Sequence, residues 1–166
     1  MRILFIIAFI ANVALSMMSL VVLPSRVAIH FGVGGMANNW APSYVNALLF
    51  IGVHVTLFCM MYFSPPFIFA FPRKWMNLPN KDYWLTEENK PRAKAMIGSL
   101  MWEFGAALFS FLFVVELLAI KANLEDPVRL NEAVFLGALF LFLLYTVYWC
   151  IRLFRAFRVP KWKRVR

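Results

Sequence analysis

Two ionisable side chains stand inside long apolar runs of this 166-residue sequence, His54 and Glu103. They lie about ten and about eight residues in from the ends of their runs, which at 1.5 Å per residue puts both near mid-bilayer depth. A lone imidazole or carboxylate there is costly, and similar depth makes a His54–Glu103 pair geometrically allowed, the candidate polar pair of the chain. Its chemistry is either a proton relay or ligand site, or a neutralised contact that ties two helices together; the second is the expectation. Glu116 falls within about a turn of the outer boundary and reads as a tie to the outer loop through Arg26, His30 or loop amides, with substrate contact as the alternative. On one helix Glu103 and Glu116 point about 140° apart, which excludes a paired-carboxylate catalytic site.

Nothing else in the sequence assembles a reaction centre. Cys59 and Cys150 both fall within apolar runs at similar depth, where contact is allowed and each behaves as a small apolar residue. No further Cys and no His cluster completes a ligand set, so no metal is expected. "GVGG" at 32–35 lacks the helix start of a phosphate loop and reads as a turn. No cofactor and no enzymatic activity are expected.

The elements that hold these residues follow from composition. Hydrophobic residues make up 63% of the chain, charged residues only 15%, and there are 18 Phe. Soluble domains are about 45–50% apolar and about 25% charged, so the expected solvent is lipid. Four runs have the roughly 20 residues that a hydrocarbon core of about 30 Å requires, at about 3–23, 44–70, 96–120 and 133–155. The first exceeds a signal-peptide apolar core and is read as a retained span. In the second, Ser64-Pro65-Pro66 is expected to kink or unwind the inner end. The expected fold is an all-α integral membrane protein, a single four-transmembrane-helix bundle with a short extended and turn motif in its first outer loop.

Charge sets the expected orientation. Arg2, six Lys and Arg between Arg73 and Lys94, and seven from Arg152 onward lie on one side, while the other side has Arg26, Lys121 and Arg129. Cationic loops stay inside, so both termini, the 71–95 loop and the basic tail 156–166 are expected to be cytoplasmic, and loop 24–43 outside. The net charge of +9 thereby meets anionic headgroups, not nucleic acid. The tail, with aromatics among its cations, reads as a headgroup-level anchor.

The two connecting segments hold the remaining signals. In "RVAIHF", Val27, Ile29 and Phe31 alternate with Ala28 and His30, as in a short extended segment with one apolar face. "GVGGMANNW" then supplies glycines and asparagines for a turn, and Trp40 suits the headgroup boundary. His30 is read as a hydrogen-bonding loop residue, with pH sensing or metal ligation as the alternative. In the inner loop, Trp75, Tyr83 and Trp84 are expected to anchor at the interface and Pro79-Asn80 to turn the chain. "TEEN" from Thr86 is expected to cap a helix that runs on into the third span.

"LPSRVAIHFGVGGMANNW" resembles the extracytoplasmic signature of a family of small bacterial membrane proteins, Leu-Pro-x-x-Ile-Pro-x-His-Phe, a Gly-containing turn, then an acidic or Asn residue before Trp. Ala28 stands where that family's second proline is usual. "FPRKWMNLPNKDYWLTEENKPRA" is similar to the same family's cytoplasmic loop. The family is related to the SdpI immunity protein, which protects a producing cell from its own secreted toxin. The resemblance implies a non-catalytic protein of the bacterial inner membrane that binds an envelope or peptide ligand. Arg26, His30, Asn39 and Trp40 are the candidate outer contacts, and Asn80, Tyr83 and Trp84 the candidate inner ones. The alternatives are an accessory subunit packed against a larger membrane complex and, more remotely, a proton-coupled small transporter. Besides the bilayer, a protein partner or a second copy of the chain is expected.

Overall fold

The computed structural model describes residues 1–159. Its elements in order are α1 (Arg2–Val22), β1 (Arg26–Phe31), β2 (Ala37–Pro42), α2 (Ser43–Ile68), α3 (Lys81–Trp84), α4 (Lys90–Asn123) and α5 (Glu132–Ala156). Single turns of 3-10 helix at Val33–Gly35 and Arg73–Trp75 join them. The helices α1, α2, α4 and α5 are each long and apolar enough to cross a membrane. Their bounds lie within a few residues of the expected spans, except that α4 starts earlier, at Lys90, and runs 34 residues. At 1.5 Å per residue that is about 50 Å, well beyond a hydrocarbon core of about 30 Å.

Three of the helices, α1, α2 and α4, pack mutually, and α5 lies along α4. No residue of α5 is buried. The expected four-helix bundle is thus a three-helix core with a fourth helix laid against it. Aromatic rings fill the core: Phe5 stacks on Phe58 at 5.0 Å and meets Phe109 at 5.6 Å. Gly105 lets Phe5 approach α4, since a Cβ there would stand 2.5 Å from the ring. Small residues at such crossings let backbones close up where no hydrophobic force separates protein from lipid.

Pro65 and Pro66 fall inside α2, which continues through them and ends at Ile68. The missing N–H of Pro65 leaves the Met61 carbonyl without its usual donor, and the Ser64 hydroxyl donates to that carbonyl at 3.1 Å. The expected unwinding at the prolines does not occur, and the helix ends only at Ile68. The Thr86–Asn89 segment is a separate turn, and α4 begins three residues later than the capping pattern suggests, with Asn89 in place of Thr86 at its cap. Thr86 still serves as acceptor, taking the Asn89 amide on its Oγ1 at 3.4 Å and the Lys90 amide on its carbonyl at 2.9 Å.

The segment after α1 is a β-hairpin, β1 pairing antiparallel with β2. The first strand lies where an extended segment was expected. Its apolar face differs, because Val27 and Ala28 are both buried while Ile29 and Phe31 are half-buried. The partner strand, "ANNWAP", has no alternation of apolar residues, and its first four residues are strand where a turn is expected from the sequence. Irregular register between Ala28, His30 and Phe31 marks bulges that bend the pair.

Candidate functional site

The hairpin is held in place from two sides. Beneath it, the Asn123 side chain at the end of α4 accepts the Ala28 amide at 2.6 Å and donates to the Ala28 carbonyl at 3.0 Å. The side-chain amide thus serves one residue of β1 as a neighbouring strand would. At the tip, Gly34 and Gly35 adopt φ of 75° and 73°. The Gly34 carbonyl accepts from Arg129 Nε at 2.8 Å, and the Gly35 carbonyl from the Leu130 amide at 2.8 Å. A Cβ on Gly35 would stand 2.1 Å from the Leu130 carbonyl oxygen, so glycine is required twice over, for its backbone and for the close approach.

On this braced scaffold the candidate contact residues are exposed. Arg26, His30, Asn38 and Asn39 are open, and Trp40 keeps 40% of its surface accessible. His30 Nδ1 and Asn38 Oδ1 are 2.6 Å apart across the hairpin, while Asn39 Oδ1 accepts the Trp40 amide at 2.9 Å. Both asparagines therefore shape the strand they stand on. His30 is engaged in a loop hydrogen bond, as its residue type and position suggested.

The ionisable residues within the long apolar helices are arranged differently from the expectation. His54 faces Glu116, with Nε2 4.0 Å from Oε2, and both side chains are buried. Glu103 instead accepts from Tyr145 Oη at 3.3 Å and pairs with Arg152, both on α5. The candidate His54–Glu103 pair is therefore not formed. Depth alone suggested it, but the angular offset that separates Glu103 from Glu116 on α4 sends the former toward α5 and the latter into the three-helix core. Nor does Glu116 tie the hairpin: α4 continues to Asn123, and it is Asn123 that reaches β1. Around His54 and Glu116 stand the rings of Phe50 and Phe109. From α1 come Asn12, Ser16 and Ser19, all buried. Asn12 Nδ2 donates to the Phe109 carbonyl at 2.9 Å, pinning α1 to α4. Ser16 lies beside the Glu116 carboxylate and donates instead to the Asn12 carbonyl at 3.1 Å.

At the opposite end of the helices the loop before α4 closes on the end of α5. Asn80, at φ 54°, donates from Nδ2 to the Phe157 carbonyl at 2.8 Å, and Trp84 Nε1 donates to the same oxygen at 2.9 Å. Trp84 is buried against the Phe157 ring, so it is a packing residue and not the interfacial anchor expected. Tyr83 meets Trp84 edge to face, while Trp75 is largely exposed. Cys59 and Cys150 are both free and exposed on α2 and α5. Most of the basic tail, from residue 160 onward, lies outside the described residues. Among those residues no group of three His, Cys, Asp or Glu forms a metal site.

Asn12, Ser16, Ser19, Asn123, Arg129 and Arg152 were missed as site residues. A signal existed for the first four. Asn12, Ser16 and Ser19 recur at helical spacing within an otherwise apolar span, and Asn123 follows Phe109 and Glu116 at two steps of seven residues, on one face. Four apolar helices joined by ordered connectors fit a multi-pass membrane protein. Comparison of the chain with protein-family models, curated proteins and solved structures found no match.

Proposed function

We propose that this chain is a non-catalytic protein of the bacterial inner membrane whose braced hairpin binds an envelope component or peptide outside the cell, in the manner of SdpI-type immunity and sensing proteins. The observation that carries this reading is the double anchorage of the hairpin by Asn123 and by Arg129 with Leu130. A fixed backbone that exposes Arg26, His30, Asn39 and Trp40 loses little entropy when it meets a ligand. The lopsided distribution of Lys and Arg supports a hairpin outside and termini inside. Cells expressing the chain would survive a secreted peptide toxin that kills cells lacking it, and His30→Ala with Trp40→Ala would abolish the protection. Unchanged protection by a folded double variant would remove the hairpin as the contact surface.

A second reading, an accessory subunit of a larger complex, draws support from α5. None of its residues is buried, and Leu141, Leu144, Val147, Tyr148 and Ile151 are open. Purification at native abundance in mild detergent followed by mass spectrometry separates the two. Stoichiometric recovery of a multi-subunit complex favours the accessory role.

A further inference from the structure

The His54 imidazole and the Glu116 carboxylate leave four polar atoms in the helix core without a hydrogen-bond partner. Each side chain is at most 1% exposed. Unpaired buried polar atoms are rare in folded proteins and call for a ligand or a role. The gap of 4.0 Å between Nε2 and Oε2 is too wide for a direct hydrogen bond. A metal ion would find two donors, and among the described residues no third His, Cys, Asp or Glu joins them. One ligand needs no cavity. We propose that His54 on α2 and Glu116 on α4 together form an intramembrane proton-binding site that carries one exchangeable proton, on either the imidazole or the carboxylate.

The surroundings isolate the pair. From α1 come Asn12, Ser16 and Ser19, none of which titrates in this setting. On α2 the adjacent ring is Phe50, and on α4 it is Phe109. The nearest charged residues along α4 are engaged elsewhere, Glu103 with Arg152 and Lys121 with Glu125. With one proton between them, the two side chains have no net charge, whichever one carries it. A second proton leaves a cation in the core and the loss of the first leaves an anion, and neither has a counter-ion within reach. The exchanged proton comes from water and returns to it, with no electron transfer and no other bond changed. This site stands apart from ligand binding at the hairpin, so failure of either proposal leaves the other intact.

The chain has two histidines, His30 and His54, which makes the test direct. The full protein, with 15N-labelled histidine and 13C-labelled glutamate, is placed in phospholipid bilayers and titrated by solid-state NMR, with His30→Gln used to assign the signals. Two groups that share one proton titrate together, so the His54 ring nitrogens and one glutamate carboxyl carbon change their chemical shifts at a common midpoint. Glu116→Gln then shifts the His54 titration midpoint by at least about one pH unit, a tenfold change in proton affinity, while that of His30 stays in place. An identical His54 titration in both proteins overturns the proposal. Should the variant fail to fold, a His54 midpoint in the unmodified chain that no glutamate carboxyl shares overturns it equally.

Discussion

Replacing Asn123 with Leu keeps the branched shape of the side chain and deletes its hydrogen bonds to the hairpin. Asn123 is 7% exposed and serves both the amide and the carbonyl of Ala28, at 2.6 and 3.0 Å. Its third bond, to the Ala119 carbonyl, duplicates a helix acceptor and costs little to lose. Leaving a buried backbone group unpaired costs about 1–3 kcal/mol, so two such groups cost about 2–6 kcal/mol. Because the hairpin lies at the helix ends, water can partly replace the lost partner, and the lower part of that range, about 2–4 kcal/mol, is expected. The assay is amide hydrogen exchange of the peptide covering β1 in lipid nanodiscs, with amides inside α4 as the reference. At about 1.36 kcal/mol per factor of ten, exchange at Ala28 should accelerate roughly 30- to 900-fold. The α4 amides should keep their rates. An acceleration below about threefold, which is under 1 kcal/mol on the same scale, would refute the idea that Asn123 holds the strand.

Two glycine contrasts test the close approaches. Gly35→Ala puts a Cβ 2.1 Å from the Leu130 carbonyl at a φ of 73°, whereas Gly34→Asn meets only Arg129 Nη2, at a distance of 3.9 Å. The first should detach the hairpin tip, and proteolysis between residues 32 and 36 should show it, while the second should cost about 1 kcal/mol or less because Asn tolerates that conformation. Gly105→Ala drives a Cβ into the ring of fully buried Phe5 and should lower the unfolding free energy in mixed detergent by about 1–3 kcal/mol. Gly52→Ala and Gly137→Ala have nothing within 4 Å and should be neutral or slightly stabilising; equal effects at all three sites would contradict the packing account.

The helices were legible because lipid demands long apolar runs, a signal that barely depends on which residue meets which. Their faces were not. His54, Glu103 and Glu116 were all singled out by polarity, yet the partner of His54 depends on how α4 is rotated about its axis, and depth along the chain says nothing about rotation. The first strand of the hairpin was visible through Val27, Ile29 and Phe31. The second was hidden, since Asn38 and Asn39 lie in it and asparagine is depleted from strands. Trp84 was misjudged for a related reason: a tryptophan at the end of a span suits the headgroup zone, but its N–H found a carbonyl 73 residues away, on the far side of two helices. Such a contact leaves no local trace.

That last contact has a consequence for the order in which the chain is made. Asn80 and Trp84 both wait on the carbonyl of Phe157, and their separations of 77 and 73 residues mean that α4 and α5 must be synthesised in between. Until residue 157 has left the ribosome, the loop before α4 has no acceptor for either donor. The hairpin, by contrast, needs only the chain up to Leu130. One end of the molecule can therefore reach its final form while the other is still open, and a stalled or shortened product would present a finished hairpin above an unfastened loop.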